Sequence, residues 1–277
     1  MDLDEYRRES RANWDRLSGN WLSEREYLWE TTGPVSQALV KRLDPQPGQT
    51  ILDIAAGTGD TGFLAAESLG DDGRLISTDF SSGMVEKARQ VSSERGLTNV
   101  EHRVLDAEQM DLEDDSVDGA VARFGYMLMA DPAKALGETK RVLRDGGTLA
   151  FAVWATPERN LWAAIPAMEL VSRGHLTPPE PGTPGIFAMG EPDRIRELVA
   201  AGGLAEPEIE QVTVDWGYPD ADFHWAMTIK LAGPISEAIG GLDEAEGESV
   251  RLAVKEKIDG LLAEGGATGL VHVVTTS

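Results

Sequence analysis

Apolar and charged positions alternate in two different rhythms along this chain. Over residues 1–45, Trp14, Leu17, Trp21, Leu22 and Leu28 stand among charges at three- and four-residue intervals, the period of helices with one apolar stripe. The segment "DPQPGQ" breaks that pattern. From about residue 46 to 155, the short apolar runs "TILDIA", "RLISTDF", "VEHRVLDA", "VDGAVARFGYML" and "GTLAFAVWA" are separated by stretches with helical spacing. That alternation predicts an α/β fold with a parallel sheet and right-handed crossovers. One crossover helix is fully punctuated: Asp131 as its cap, Pro132 in its first turn, Leu136 and Leu143 two turns apart, and "DGG" as its stop.

Residues 156–203 contain a helical stretch, the Pro/Gly-rich run "TPPEPGTPGIFAMG" and a second helix ending near "AAGGL". This run is too long for an ordinary connection and predicts a lid or substrate loop. Beyond it, "EIEQVTVDW" reads as a strand, helical sequence follows, and "GLVHVVTTS" reads as a last strand. Four segments result: a helical cap (1–45), a ligand-binding core (46–155), a lid segment (156–203) and a C-terminal part that completes the sheet (204–277).

Composition narrows the ligands. With 48 acids against 25 Lys and Arg, the net charge of −23 repels nucleic-acid phosphates and anionic lipid heads, so a small molecule is the expected partner. The absence of cysteine excludes disulfides, cysteine-ligated zinc, iron–sulfur clusters and a thiol nucleophile, and no metal site is expected. No apolar run reaches the ~20 residues that cross a bilayer, and the acidic opening "MDLDEYRRES" is unlike a signal peptide. A cytoplasmic monomer or homodimer without membrane insertion is the expectation.

The stretch "ILDIAAGTGDTG" contains G-x-G-x-x-G at Gly57, Gly59 and Gly62. In a nicotinamide or flavin site such glycines bring a helix N-terminus to a pyrophosphate. Asp53, at the end of the preceding strand, would sit badly beside that anion. It suits a cation, and S-adenosylmethionine offers an ammonium and a sulfonium with no phosphate. Asp79, twenty residues beyond Gly59, is placed to accept ribose hydroxyls in either kind of site.

These residues carry a family resemblance. "LDIAAGTGD" resembles the first motif of class I S-adenosylmethionine-dependent methyltransferases, especially the branch of ubiquinone and menaquinone C-methyltransferases and their small-molecule relatives, with Ala55 in place of the usual first glycine. The resemblance implies that Asp53 orients the loop and the methionyl ammonium, and that the backbone of Ala55, Gly57, Thr58 and Gly59 approaches the cofactor. Gly62 then becomes incidental. It further implies that Asp79 and Phe80 face the ribose and adenine, that Met84 of "SSGMVEKAR" packs on adenine, and that Asp106 and the Ala107 amide of "VLDAEQMDL" meet its edge. Arg123, at the fourth strand end, completes the implied cofactor set. The implied fold is a Rossmann-like, doubly wound, mainly parallel sheet of seven strands in order 3-2-1-4-5-7-6. Its last strand is antiparallel, supplied by "GLVHVVTTS".

The acceptor is expected beyond strands 4 and 5, near Phe124, Tyr126, Met127, Trp154, Phe187 and Trp29, under the cap and lid. Other aromatic candidates are Trp14, Trp21, Phe223 and Trp225; together the rings predict an apolar or aromatic acceptor for O- or C-methylation. Methyl transfer needs chiefly alignment in a dry pocket. If a base assists, the candidates are His224, Tyr126, His175 and Asp131, the last better suited to capping its helix. His102 and His272 fall in strands. Two rivals remain: a nicotinamide-dependent oxidoreductase, and a non-catalytic protein that binds S-adenosylmethionine.

Overall fold

A computed structural model describes residues 2–180 and 182–277; Met1 and Pro181, the latter within the expected loop, lie outside the described residues. Two helices come first, α1 (Leu3–Ser23) and α2 (Arg25–Leu43). The alternating region follows as β1 (Thr50–Ile54), α3 (Asp60–Ala66), β2 (Arg74–Asp79), α4 (Ser82–Glu94), β3 (Val100–Val104), β4 (Val117–Arg123), α5 (Pro132–Val142) and β5 (Leu143–Trp154). After α6 (Leu161–Ser172) and α7 (Pro192–Ala201) come β6 (Glu208–Asp215), α8 (Ala221–Leu231), α9 (Gly233–Gly240), α10 (Glu244–Ala263) and β7 (Thr268–Thr276).

The strands form one sheet in the order β3-β2-β1-β4-β5-β7-β6, as the resemblance implies. β1 to β5 pair in parallel, and β7 runs antiparallel to both β5 and β6. β6 therefore points the same way as the parallel strands, and its carboxyl end shares their edge. Central strands read as unbroken apolar runs because helices cover both faces, and Ile51, Leu52, Val121, Leu149 and Phe151 are all buried. The outermost β6 carries Glu208 and Glu210, which pair with Arg42 of α2.

Helix α5 begins where its punctuation places it: Asp131 Oδ1 accepts from the Lys134 amide at 3.0 Å, and Pro132 occupies the first turn. Its end differs from expectation. The helix stops at Val142, and "DGG" forms the third to fifth residues of strand β5. Pairing jumps there from Val117 with Leu143 to Gly119 with Thr148, and Gly146 turns the backbone with φ +79°. Those glycines shape an irregularity in the strand rather than the helix stop.

Two cores hold the molecule together. The larger lies on both sides of the sheet. A smaller one joins Leu170 of α6, Ala221 of α8 and Val250, Val254 and Ile258 of α10. The helix of the expected lid segment, α6, is thereby packed with the C-terminal helices. Among the described residues no helix is long and apolar enough to cross a membrane.

Candidate functional site

The β1–α3 loop is a tight backbone cradle. Ala55, Gly57 and Gly59 all have positive φ, at 53°, 56° and 90°. Gly59 needs the conformation and the space, since a Cβ there would overlap the Phe63 ring. At Gly57 a Cβ would meet nothing within 4 Å, so that position faces open space. Ala55 holds a left-handed backbone despite its methyl group, a strain of about 1 kcal/mol or more. That methyl lies 2.8 Å from where a Cβ on Gly125 would sit, so the alanine on one strand end requires the glycine on the next.

Gly62 is not incidental. Its amide donates to Asp53 Oδ2 at 3.0 Å, and any side chain at Gly62 would collide with that carboxyl. Asp53 is 1% exposed, and burial raises its pKa to about 8. All three glycines of G-x-G-x-x-G thus serve the cradle: two by backbone angle, the third by letting α3 close onto Asp53.

At the end of β2, the Asp79 carboxylate ties this loop to the next. Its Oδ2 accepts from the Gly57 amide at 3.0 Å and its Oδ1 from the Ser81 amide at 2.9 Å. Burial raises its pKa to about 6 despite these two donors. At the end of β3, Asp106 accepts from the Glu108 amide, while Ala107 is buried and Met84 lies on the inner face of α4. Phe80 remains partly exposed under Arg11 of α1.

Helix α1 lies across these strand ends. Asp15 accepts from Ser81 Oγ at 2.7 Å and from the Gly83 amide at 2.9 Å, adding a carboxylate to the N-terminus of α4. Arg7 pairs with Glu108 at 2.5 Å. A hollow of about 300 Å³ opens between α1 and Asp106, lined by Arg7, Arg8, Arg11, Ala12, Asp15 and Asp106. The residues missed in the sequence here are Asp15 and Glu108; neither lies in a recognisable motif.

Charge balance around the loop discriminates between ligands. Arg25 pairs with the buried Asp60 at 2.5 Å, whereas Arg123 donates only to hydroxyls, Thr32 Oγ1 at 2.7 Å and Ser36 Oγ at 3.3 Å, and its charge offsets part of the burial cost of Asp53. Thr58 spends its hydroxyl on Asp60 at 3.0 Å. What remains is a pair of buried carboxyls whose charged forms are under-compensated, beside glycine backbone with open space in front. This donor set fits an adenosine ligand with a positive end and not a pyrophosphate.

On the acceptor side, rings from distant segments form one wall. Phe124, held at φ +64° beyond β4, stacks on Trp154 at 4.4 Å between centroids and 6° between planes. Trp154 meets Trp162 at 5.2 Å and Trp216 at 5.9 Å; Trp216 stacks on Tyr218 at 5.7 Å. Tyr27 and Phe223 close the group, and Tyr27 donates to the Trp216 carbonyl at 2.7 Å. Trp162, Trp216, Tyr218 and Tyr27 had not been singled out in the sequence. The available signal was position: "WGY" follows directly on a strand whose carboxyl end faces the site.

The other expected acceptor residues divide. Met127 is itself a buried member of the larger core and Phe187 packs against it; the lid loop reaches the core there, with the Gly185 amide donating to the Met127 carbonyl at 3.0 Å. Trp29 is turned to its own helix, its ring 3.4 Å from where a Gly33 Cβ would stand. Trp14 and Trp21 pair with each other along α1, at 5.4 Å. Asn160, fully buried, pins the lid segment by donating to the Ala155, Thr156 and Leu270 carbonyls.

Among the base candidates, Tyr126 is a core residue. Thr139 already donates to the Ala135 carbonyl, so Tyr126 must donate to Thr139 Oγ1, at 2.7 Å, and burial raises its pKa further. His175 Nε2 lies 2.9 Å from Glu246 Oε1, a carboxylate that also pairs with Arg173, and Asp131 is a helix cap. Only His224 joins the aromatic wall, its ring edge-on to Tyr218 at 5.0 Å.

Comparison with known proteins supplies an independent finding. Residues 45–170 match the family model described as a methyltransferase domain. A 143-residue stretch is 32% identical to aklanonic acid methyltransferase DauC of a Streptomyces species, covering 52% of this chain and 60% of that protein. Another of 117 residues is 32% identical to the ubiquinone/menaquinone biosynthesis C-methyltransferase UbiE of Teredinibacter turnerae, covering 42% of this chain and 47% of that one. The chain thus spans 60% and 47% of the lengths of these two relatives. A putative methyltransferase from Bacillus halodurans shares the fold with a TM-score of 0.57 at 18% identity, over 87% of this chain and 97% of that one. Haemonchus contortus phosphoethanolamine N-methyltransferase 2, in complex with S-adenosyl-L-methionine, does so at 0.55 and 16%, over 88% and 52%.

Proposed function

We propose that this chain, whose residues 45–170 form a methyltransferase domain, is an S-adenosylmethionine-dependent methyltransferase acting on a small aromatic or apolar acceptor by O- or C-methylation. The observation that carries the reading is the pairing of Asp79 with the Gly57 amide beside the buried Asp53, a carboxyl-rich glycine cradle whose neighbour Arg25 is already paired with Asp60. The cofactor, when bound, supplies a methyl group on a positively charged sulfur. Ala55 to Gly59 and Asp79 hold its adenosine, Asp53 fixes the loop through the Gly62 amide and supplies a counter-charge once the cationic ligand favours its ionised form, and Phe80, Met84, Asp106 and Ala107 border the adenine side. Arg123 braces the cradle through Thr32 and Ser36.

Phe124 and Trp154 then form the boundary between the cradle and the acceptor wall. Rate comes from alignment and exclusion of water, which oriented intramolecular systems show to be worth about 7–11 kcal/mol. Tyr126 has no free proton-accepting role in this arrangement, and His224 is the one candidate base on the wall. The net charge of −23 supports a small-molecule partner rather than a nucleic acid.

Calorimetry with S-adenosylhomocysteine and NAD(H) tests the cofactor: saturable binding of the former alone is expected, and the reverse result would overturn the assignment. A labelled methyl donor offered with phenols, hydroquinones, amines and fatty acids tests catalysis. Transfer to aromatic acceptors is expected; binding of the cofactor with no transfer to any of them would favour the non-catalytic reading.

A further inference from the structure

Burial leaves a small set of polar side-chain atoms without partners among the described residues: Trp21 Nε1, His102 Nδ1, Trp216 Nε1, His224 Nδ1 and His272 Nδ1. Such an atom costs about 1–3 kcal/mol in the folded state. His102 lies in β3, His272 in β7 and Trp21 on α1. Trp216 and His224 differ, because both border the same ring: Tyr218 stacks on Trp216 at 5.7 Å and stands edge-on to His224 at 5.0 Å.

The chemistry of the two atoms is complementary. His224 Nε2 lies 2.8 Å from the Trp162 carbonyl, which can only accept, so Nε2 carries the proton and Nδ1 is left with a buried lone pair. Burial also lowers the imidazole's pKa, keeping the ring neutral. Trp216 Nε1 can only donate. With 1% and 6% exposure, neither residue relies on solvent for that missing bond. One acceptor and one donor therefore flank Tyr218 inside a wall otherwise made of rings.

Resting on the methyltransferase reading above, we propose that Trp216 Nε1 and His224 Nδ1 form the polar recognition pair for the acceptor. The acceptor is then a planar aromatic molecule that carries a hydroxyl and, at a separate position, a carbonyl. Its hydroxyl donates to His224 Nδ1, and its carbonyl accepts from Trp216 Nε1. Its ring replaces one of the ring-on-ring contacts that the wall now makes with itself, so stacking is exchanged rather than lost. A hydrocarbon of the same shape leaves both protein atoms unpaired, which is why a site of this kind rejects it.

Calorimetry on the full chain saturated with S-adenosylhomocysteine, using naphthalene, 2-naphthol, 2-acetonaphthone and 6-hydroxy-2-acetonaphthone, tests the pair. The expected order is tightest for 6-hydroxy-2-acetonaphthone, about tenfold weaker for each single-function probe, and weakest for naphthalene. Trp216→Phe removes the advantage of the carbonyl and spares 2-naphthol; His224→Leu removes that of the hydroxyl and spares 2-acetonaphthone. His224→Gln, which keeps a donor for Trp162 and an acceptor for the ligand, restores part of the hydroxyl preference. Unchanged S-adenosylhomocysteine affinity in each variant shows that the fold is intact. Equal binding of all four probes, no binding of any, or variants that weaken all four alike would overturn the proposal. Loss of S-adenosylhomocysteine binding by the wild type would instead overturn the cofactor reading.

Discussion

In the glycine cradle, Asp53 meets the Gly62 amide nine residues on, and Asp79 meets that of Gly57 22 residues back. In the aromatic wall, the Tyr27 hydroxyl reaches the Trp216 carbonyl across 189 residues, and His224 reaches Trp162 across 62. The two regions lie at one edge of one sheet, yet the first satisfies its buried carboxyls with local backbone amides, whereas the second retains unpaired buried atoms. The contrast separates two jobs. A ligand with fixed chemistry can be met by a short motif, while the partner it reacts with is met by whatever the cap, lid and C-terminal helices bring together.

The largest expected break in this comparison is Gly62→Ala. Its methyl group has nowhere to go but the Asp53 carboxyl, so the loss of stability should reach about 3 kcal/mol or more, seen as a fall of many degrees in melting temperature. A melting temperature within a degree of wild type would show that Gly62 is as incidental as the motif resemblance implies.

Next comes Asp79→Asn. An amide keeps the size but can accept only one of the two backbone donors and loses the charge, so S-adenosylhomocysteine affinity should fall tenfold to a hundredfold in calorimetry. Affinity of the wall for an aromatic probe should not move; equal losses at both sites would dissolve the distinction between them.

A smaller effect is the pH dependence of the cradle. Asp79 and Asp53 have folded pKa values raised from 3.8 to about 6 and about 8 by burial. For raised carboxyl pKa values, the free protein's stability from these groups is full below the unfolded value of 3.8 and is lost as pH climbs through about 6 and then about 8. A ligand with an ammonium group favours the ionised carboxylates. Its affinity should therefore rise several-fold from about pH 5 to pH 8, with proton release detectable by titration in buffers of different ionisation enthalpy. Binding with no proton release would mean that the carboxyls are already ionised in the free protein.

The smallest effects concern single polar groups buried in each region. Tyr126→Phe deletes a satisfied hydrogen bond to Thr139 and should cost about 1 kcal/mol of stability without changing turnover. Trp216→Phe deletes an unsatisfied donor and should leave the melting temperature unchanged or slightly raised. A fall as large as that of Tyr126→Phe would show that the indole N–H has a structural partner.

The sheet and its order were legible because parallel strands buried on both faces announce themselves as apolar runs, and the family resemblance arranged them. The carboxyls Asp53, Asp79 and Asp106 were legible because each closes such a run. The end of α5 was misread since "DGG" can stop a helix or bend a strand, and only the pairing of β4 with β5 selects the second. Gly62 was set aside because nothing in one dimension shows that α3 folds back over β1.

By itself, the sequence determined the alternating fold, the glycine cradle and the sign of charge around it, since those depend on residues close together in the chain and on period. Only the tertiary structure decided which rings form the wall, which histidine joins it, and which polar atoms go unpaired. Those features arise where α2, α6, α8 and the end of β6 converge. Pairing and burial there are properties of the packed assembly, not of any segment.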